Sequence, residues 1–527
     1  MTDSAPSHRS AGLRSVLAFV LLAAGVAFAQ DADGDAARDP VPDGGPDVAE
    51  LRAAVDADPD APAPWIALGT GLLETDPDAA GASFLEALAL DYRACDAHFG
   101  LGLAETAQGD GDGALFAFDE VARLCPTRFD GHYNRGVTLA RLDRPEAAAG
   151  AFLRALEEAE PEASAADRVA AWRGVATQRT RLGEHGAAAE AYAEARTVRP
   201  GDADLIYRHA EALHRAGRGL EALPDLTELA RTGAEARVDV LVADVYAAAG
   251  RLEYALRTLE RGIERAAEAG DDGGRAARWL ALGRLQDGVG RSDAAAEAYR
   301  TAVEIDPTSA EAYTALGLTL LDAGDAAGAA IALARAGEIA PDDAAIALAH
   351  ADALAAQGRH ADAVAAARRA RDVAPADATD VRLEAERRIG VAAYALGDLE
   401  AAGAAWRAVT DARPEDADAW TWVGLVAYAG GAYGDAVAAL ETATDLDADD
   451  RVARRNLAAS YLAVERYEEA ANVYALLVGQ DPDDAEAAYH LGWARWSLER
   501  PAEARDAWAD ACDLGYGSAC DALDELF

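Results

Sequence analysis

The sequence predicts an all-α protein built as a solenoid of repeated helical hairpins, and three observations carry that prediction. Pro307, Pro341 and Pro375 stand 34 residues apart, and Pro414 and Pro482 are separated by twice that step. Gly102 and Gly136, Gly283 and Gly317, and Gly390 and Gly424 keep the same spacing of 34. The chain is 51% hydrophobic but only 6% aromatic, which suits alanine-rich helices that pack closely without bulky core residues. A fixed period of this length marks units that cannot bury their apolar faces alone and so stack on neighbours.

The elements follow in chain order. Arg9 and Arg14 precede an apolar run from Val16 to Ala29, ending Ala27-Phe28-Ala29 before the acidic stretch that opens at Asp31. That layout predicts a signal peptide over residues 1–29 and a mature chain starting near Gln30, hence an exported protein, periplasmic or secreted. The apolar run of 14 residues is short of the ~20 needed to span a bilayer, so the mature chain is expected not to insert in a membrane; an uncleaved N-terminal anchor is the alternative. No cysteine lies near the cut to carry a lipid. Residues 30–46, rich in Asp, Gly and Pro, read as a disordered acidic leader.

Val48 to Asp58, closed by Pro59, reads as a lone helix capping the N-terminal end, within residues 47–61. Thirteen hairpins then fill residues 62–518, starting near 62, 95, 129, 169, 203, 236, 276, 310, 344, 383, 417, 451 and 485. Residues 519–527 begin a further helix that caps the C-terminal end. Residues 163–168, 270–275 and 378–382 interrupt the period and are expected to lengthen a helix end or bulge a loop.

Within each unit the pattern is specific. Trp279-x2-Leu282-Gly283 leads to Ala295-x3-Tyr299 and Pro307; Tyr313-x2-Leu316-Gly317 leads to Ala329-x3-Leu333 and Pro341; Trp420-x2-Val423-Gly424 leads to Ala436-x3-Leu440. This resembles the tetratricopeptide repeat, and the resemblance extends over all thirteen units, 457 of 527 residues. Gly or Ala holds the small position of every first helix, and alanine that of every second helix. Four residues after that alanine comes a large apolar residue in twelve of thirteen units, from Phe84 to Trp508, the exception being Ala367. Offsets of three and four place these residues on one helix face, where a small residue on one helix admits a large one from the other. The proline ends the second helix, and an Asp after it, such as Asp342 or Asp416, is expected to cap the next first helix. With Ala347, Ala351 and Ala367, the unit from 344 to 377 lacks its anchor and should be the weakest joint. The resemblance implies a right-handed superhelix whose first helices line a concave surface.

Chemistry by the protein itself is not expected. Forty-eight basic side chains face 93 acidic ones, a net charge of −45 that argues against nucleic acid or an anionic membrane as partner. All basic residues are arginine, which removes a P-loop, a pyridoxal Schiff base and a kinase lysine. No helical zinc pair occurs: His209 and His214 are five apart. His98 and His132 fall where the repeat usually has Trp, which favours packing. Asp31-x-Asp33-x-Asp35 has Ala36 and Pro42, and Asp445-x-Asp447-x-Asp449 has Asp450 and Asn456, where a calcium loop needs Gly and Glu. No cofactor or metal is called for, and no sizeable segment outside the repeats remains to house a catalytic domain.

Four cysteines remain. Cys95 and Cys125 begin and end the two helices of one hairpin, hence lie at the same end of it. Cys512 and Cys520, eight apart, resemble the cysteine-rich variant of helical-hairpin repeats, which implies a bridge between consecutive helices. Of the three possible connectivities, Cys95–Cys125 with Cys512–Cys520 is the one expected, with free buried thiols as the alternative. For binding, the resemblance places Tyr394, Trp422, Leu425, Tyr428, Tyr489, Trp493 and Trp496 on the concave face, where they either meet a protein or peptide or pack between first helices. A basic cluster of Arg173, Arg181, Arg208 and Arg215 either meets an acidic segment or pairs with the chain's own carboxylates. The Lys, Arg and Asn clamp by which some tetratricopeptide proteins grip a terminal carboxylate is absent, since there is no lysine and no two asparagines fall in adjacent units. The reading is an exported, non-catalytic scaffold for protein–protein interaction; the alternatives are an accessory subunit of an envelope enzyme or a cytoplasmic adapter.

Overall fold

The structure, a computed structural model, describes residues 47–158, 163–232 and 235–527. The expected signal segment and acidic leader lie outside the described residues. Among the described residues there are twenty-eight α-helices and one short 3-10 helix, and no strand. They pair into thirteen hairpins, from Pro62–Leu72 with Pro77–Leu90 to Ala485–Ser497 with Pro501–Asp513. Helix Val48–Ala57 precedes them and Gly517–Leu526 follows, the latter starting two residues earlier than the sequence indicates.

The chain divides into two compact units, one running to Thr258 and one from Leu259 onward, the boundary falling within helix Leu252–Ala269. In the first, Phe84, Phe99 and Phe118 anchor one core and Phe152, Val175, Leu205 and Leu226 another. In the second, Tyr299, Leu333 and Trp406 share a core, Leu440 and Tyr474 the next, and Trp508 a last one under the C-terminal helix. Eight of the anchors, from Phe84 to Trp508, are seated against glycine. A Cβ on Gly69 would stand 2.8 Å from Phe84 and one on Gly100 2.3 Å from the same ring, so Phe84 is clasped by two successive first helices. Phe152 is held alike by Gly136 and Gly174. Where the anchor shrinks to Ala367 the facing residue is Ala351, and both are fully buried.

The termini of the helices account for part of the acidic excess. Asp76, Asp110, Asp325 and Asp398 accept backbone N–H bonds at the start of second helices, and Asp202, Asp416, Asp450 and Asp484 do so for first helices. Each satisfies a donor the helix cannot and lies at the positive end of its dipole. For helix Ala344–Ala356 the cap is Asp343, not Asp342: its carboxylate accepts from the amides of Ala345 and Ile346.

After the first hairpin, the turns between paired helices each carry a left-handed residue. Gly109, Gly290, Gly324, Gly397 and Gly431 supply it at matching places, but Asp143, Glu465 and Glu499 take the same conformation with a side chain present. The three interruptions of the period lengthen helices: Ala165–Arg181 has 17 residues, and Leu252–Ala269 and Thr379–Leu396 have 18 each, against 13 or 14 in most others.

Candidate functional site

The aromatic residues singled out above sit on first helices, and most of them are partly covered. Trp422 stacks on the buried anchor Trp406 at 5.3 Å between ring centres, and Tyr394 meets Trp422 edge-on at 5.6 Å. Tyr428 leans on Tyr433, and Leu425 is half-buried. At the C-terminal end, Tyr489 packs on Tyr516, Trp496 on Trp508 and Phe527, and Trp493 edge-on against Trp508. Packing between helices therefore engages all of these rings to some degree. Trp493 keeps 37% of its surface in solvent and is the most open of the tryptophans.

Its position explains why. Trp493 directly follows Gly492, the small residue facing Trp508, so its side chain leaves the helix beside the packed seam. The same register holds Leu318 after Gly317 and Val391 after Gly390, which are 44% and 42% exposed, and the half-buried Leu425 after Gly424. Leu318 and Val391 were not singled out from sequence, although the signal was present: an apolar residue immediately after the repeat's glycine. Leu318, Val391, Leu425 and Trp493 thus give four first helices of the second unit an apolar side chain at one register.

The four arginines do not stand free. Arg173 and Arg208 both reach Asp204, at 3.2 and 3.5 Å. Arg181 pairs with Asp143 and donates to the carbonyl of Ala140, and Arg215 pairs with Glu211 one turn away. The Arg173–Asp204 pair has counterparts in Arg387–Asp418 and Arg455–Glu486, each joining one first helix to the next. These are rungs between neighbouring repeats, and exposed pairs of this kind contribute roughly 0–1 kcal/mol each.

The histidines are structural in the same way. The Nε2 of His98 lies 2.8 Å from the carbonyl of Tyr92 and that of His132 2.8 Å from the carbonyl of Pro126. Trp65 and Trp420 donate their indole N–H to carbonyls six residues back in the same manner, to Pro59 and Pro414. A His at this place thus reproduces the hydrogen bond of the Trp it replaces. Burial holds the imidazoles of His209 and His490 below their ordinary value, with Arg196 adding to the effect at His209. Among the described residues no cluster of three or more His, Cys, Asp or Glu side chains is placed to hold a metal, and no helix is long and apolar enough to cross a membrane.

The structure pairs Cys95 with Cys125 across the open end of one hairpin, with Cα atoms 6.5 Å apart. It pairs Cys512 with Cys520 across the last turn, Cα atoms 4.9 Å apart, tying helix Gly517–Leu526 to the hairpin that carries Trp493.

Within each unit, short antiparallel hairpins whose large anchors seat against small residues of first helices define a helical-repeat protein. Residues 67–129 and 387–451 match one tetratricopeptide repeat family, residues 427–494 match a second, and residues 290–324 match a third, described as TPR repeat. The hairpins within these matched residues are tetratricopeptide repeats. No curated protein matches the chain. Among solved structures, the APC/C hetero-tetramer Cut9–Hcn1 is similar at 14% identity and a TM-score of 0.34, over 90% of this chain and 97% of that one. Naa15/Naa10 bound to HypK-THB is similar at 16% identity and a TM-score of 0.36, over 88% of this chain and 77% of that one.

Proposed function

We propose that this protein is an exported, non-catalytic scaffold that holds another protein against the first helices of its repeats. The observation that carries the reading is the exposed apolar register of Leu318, Val391 and Trp493, three side chains left in water at the same position of three first helices. Recognition sites concentrate binding energy in a few such residues, tryptophan foremost. Export is supported by the basic-apolar-small start of the sequence and by all four cysteines being paired, since disulfides persist in oxidising compartments. In this reading the first helices line a concave groove, and the partner is a protein or peptide.

Crosslinking in native envelope or culture medium, followed by recovery of the tagged full chain, tests the reading. Trp493→Ala is the informative variant, because Trp493 is the more exposed of the two, whereas Trp496 packs on both Trp508 and Phe527. A specific partner recovered with the native chain and lost with Trp493→Ala is the expected result. Recovery unchanged by that substitution places the docking site elsewhere, and a purified chain that turns over a substrate unaided ends the scaffold reading.

A further inference from the structure

The hairpin without an anchor contains an open cavity. A cavity of about 340 Å³ lies between helices Ala326–Ile339, Ala344–Ala356 and His360–Val373. Its floor is apolar, made by Leu333, Ile346, Ala347, Leu354 and Ala366. The space follows from two local departures from the repeat. His350 stands where neighbouring units have Leu282, Leu316, Ile389 and Val423, and the apolar part of the second helix's wall is made by Ala365 and Ala366, with no larger apolar side chain. A volume of this size is within the ~300–1,000 Å³ of small-molecule sites, which combine an apolar lining with a few placed polar groups.

The polar groups of the lining are His350, Arg359, Asp362 and Arg369. Arg359 is neutralised by Asp362 at 2.7 Å. Arg369 has no carboxylate partner; its Nη2 is fixed by the carbonyls of Gly337 at 2.8 Å and Pro341 at 3.0 Å, which hold the guanidinium at the cavity wall with its other N–H groups available. His350 makes no hydrogen bond within the protein. Burial first, then the charges of Arg359 and Arg369, holds its imidazole below the ordinary value, so near neutral pH the ring offers one N–H and one bare nitrogen. In a chain of charge −45 this is a site with a surplus positive charge over an apolar floor.

We propose that this cavity binds a small molecule with an apolar body and a single carboxylate, the body resting on Leu333, Ile346 and Leu354 and the carboxylate meeting Arg369 and His350. The site is separate from the exposed first-helix register of Leu318, Val391 and Trp493, and ligand binding here is independent of whether the protein is a scaffold. A cationic head would face an uncompensated arginine, and an uncharged one would forgo the charge-assisted hydrogen bond.

Calorimetric titration of the full chain with octanoate, octanamide and octylammonium tests the assignment. Saturable one-to-one binding of octanoate, about tenfold or more tighter than octanamide, is expected from a hydrogen bond to a charged group. Arg369→Gln should remove that preference. Because Arg369 also ties down two carbonyls, Ala365→Phe serves as the second variant: it fills the cavity from a solvent-facing position and should abolish octanoate binding with the thermal melt unchanged. Equal binding of octanamide or octylammonium, octanoate binding that survives Ala365→Phe, or no saturable octanoate binding overturns the proposal. An acetylated peptide ending in a free leucine carboxylate that binds where octanoate does not also overturns it, in favour of a peptide terminus.

Discussion

The backbone of Gly492 lies against the indole of Trp508, so closely that a Cβ on Gly492 would stand 2.3 Å from Trp508 Nε1. Gly390 and Trp406 repeat the arrangement at 2.4 Å. Neither ring can retreat, since both are almost fully buried. Gly492→Ala and Gly390→Ala should therefore each destabilise the second unit by about 1–3 kcal/mol, the usual range for overpacking a tight core. Urea unfolding followed by tryptophan fluorescence checks this. Substitutions that leave the midpoint unmoved show that the contact is not tight.

The two indoles differ in one respect that mutation can expose. Trp508 Nε1 donates to the carbonyl of Tyr489 at 3.0 Å, whereas the buried Nε1 of Trp406 has no partner. Trp508→Phe forfeits a hydrogen bond, about 1 kcal/mol beyond the loss of ring area. Trp406→Phe removes an unpaired donor and should cost less. Equal losses in the two variants contradict this.

Glu465 and Glu499 occupy the left-handed turn position that glycine holds in most other hairpins. A side chain there costs about 1–2 kcal/mol, so Glu465→Gly and Glu499→Gly should each stabilise the chain by roughly 1 kcal/mol, less the added freedom of glycine when unfolded. A rise in urea midpoint is the expected reading, and a fall shows that these carboxylates contribute something the backbone geometry does not reveal.

The hairpin of residues 344–377 should exchange its amide hydrogens faster than the hairpins on either side. Ala367 supplies little of the ~1.5–3 kcal/mol that a large buried anchor contributes, and the cavity beside it removes further contacts. Hydrogen exchange read by mass spectrometry decides; protection equal to that of residues 310–339 contradicts the expectation.

Much of this architecture was legible because tetratricopeptide packing is local. The small residue of a first helix and the large residue of its partner are separated by a nearly fixed spacing, so Gly492 and Trp508 could be matched by counting. Identity at one repeat position also foretold the fate of His132, whose ring takes over the hydrogen bond made by Trp65 and Trp420. What depends on three helices meeting was not legible: the cavity of His350 and Arg369 arises from residues that look unremarkable singly. Nor was the degree of exposure. Trp422 and Trp493 are both first-helix tryptophans, yet Trp422 sits on the register that stacks on Trp406, while Trp493 lies beside the seam. The cap at Asp343 rather than Asp342 turned on one residue of register, which neighbouring aspartates cannot resolve in sequence.

The central claim is that the first helices, not the second, receive the partner, and one hairpin can test it. Leu318 on helix Ala310–Asp322 is 44% exposed, and Ile331 on its partner helix Ala326–Ile339 is 74% exposed. Replacing each in turn with a photo-crosslinking benzoylphenylalanine and irradiating the chain in its native setting compares the two faces directly. The account predicts a discrete adduct from Leu318, and from Val391 and Trp493 treated likewise, with none from Ile331. A partner captured from Ile331 and absent from all three first-helix positions contradicts it.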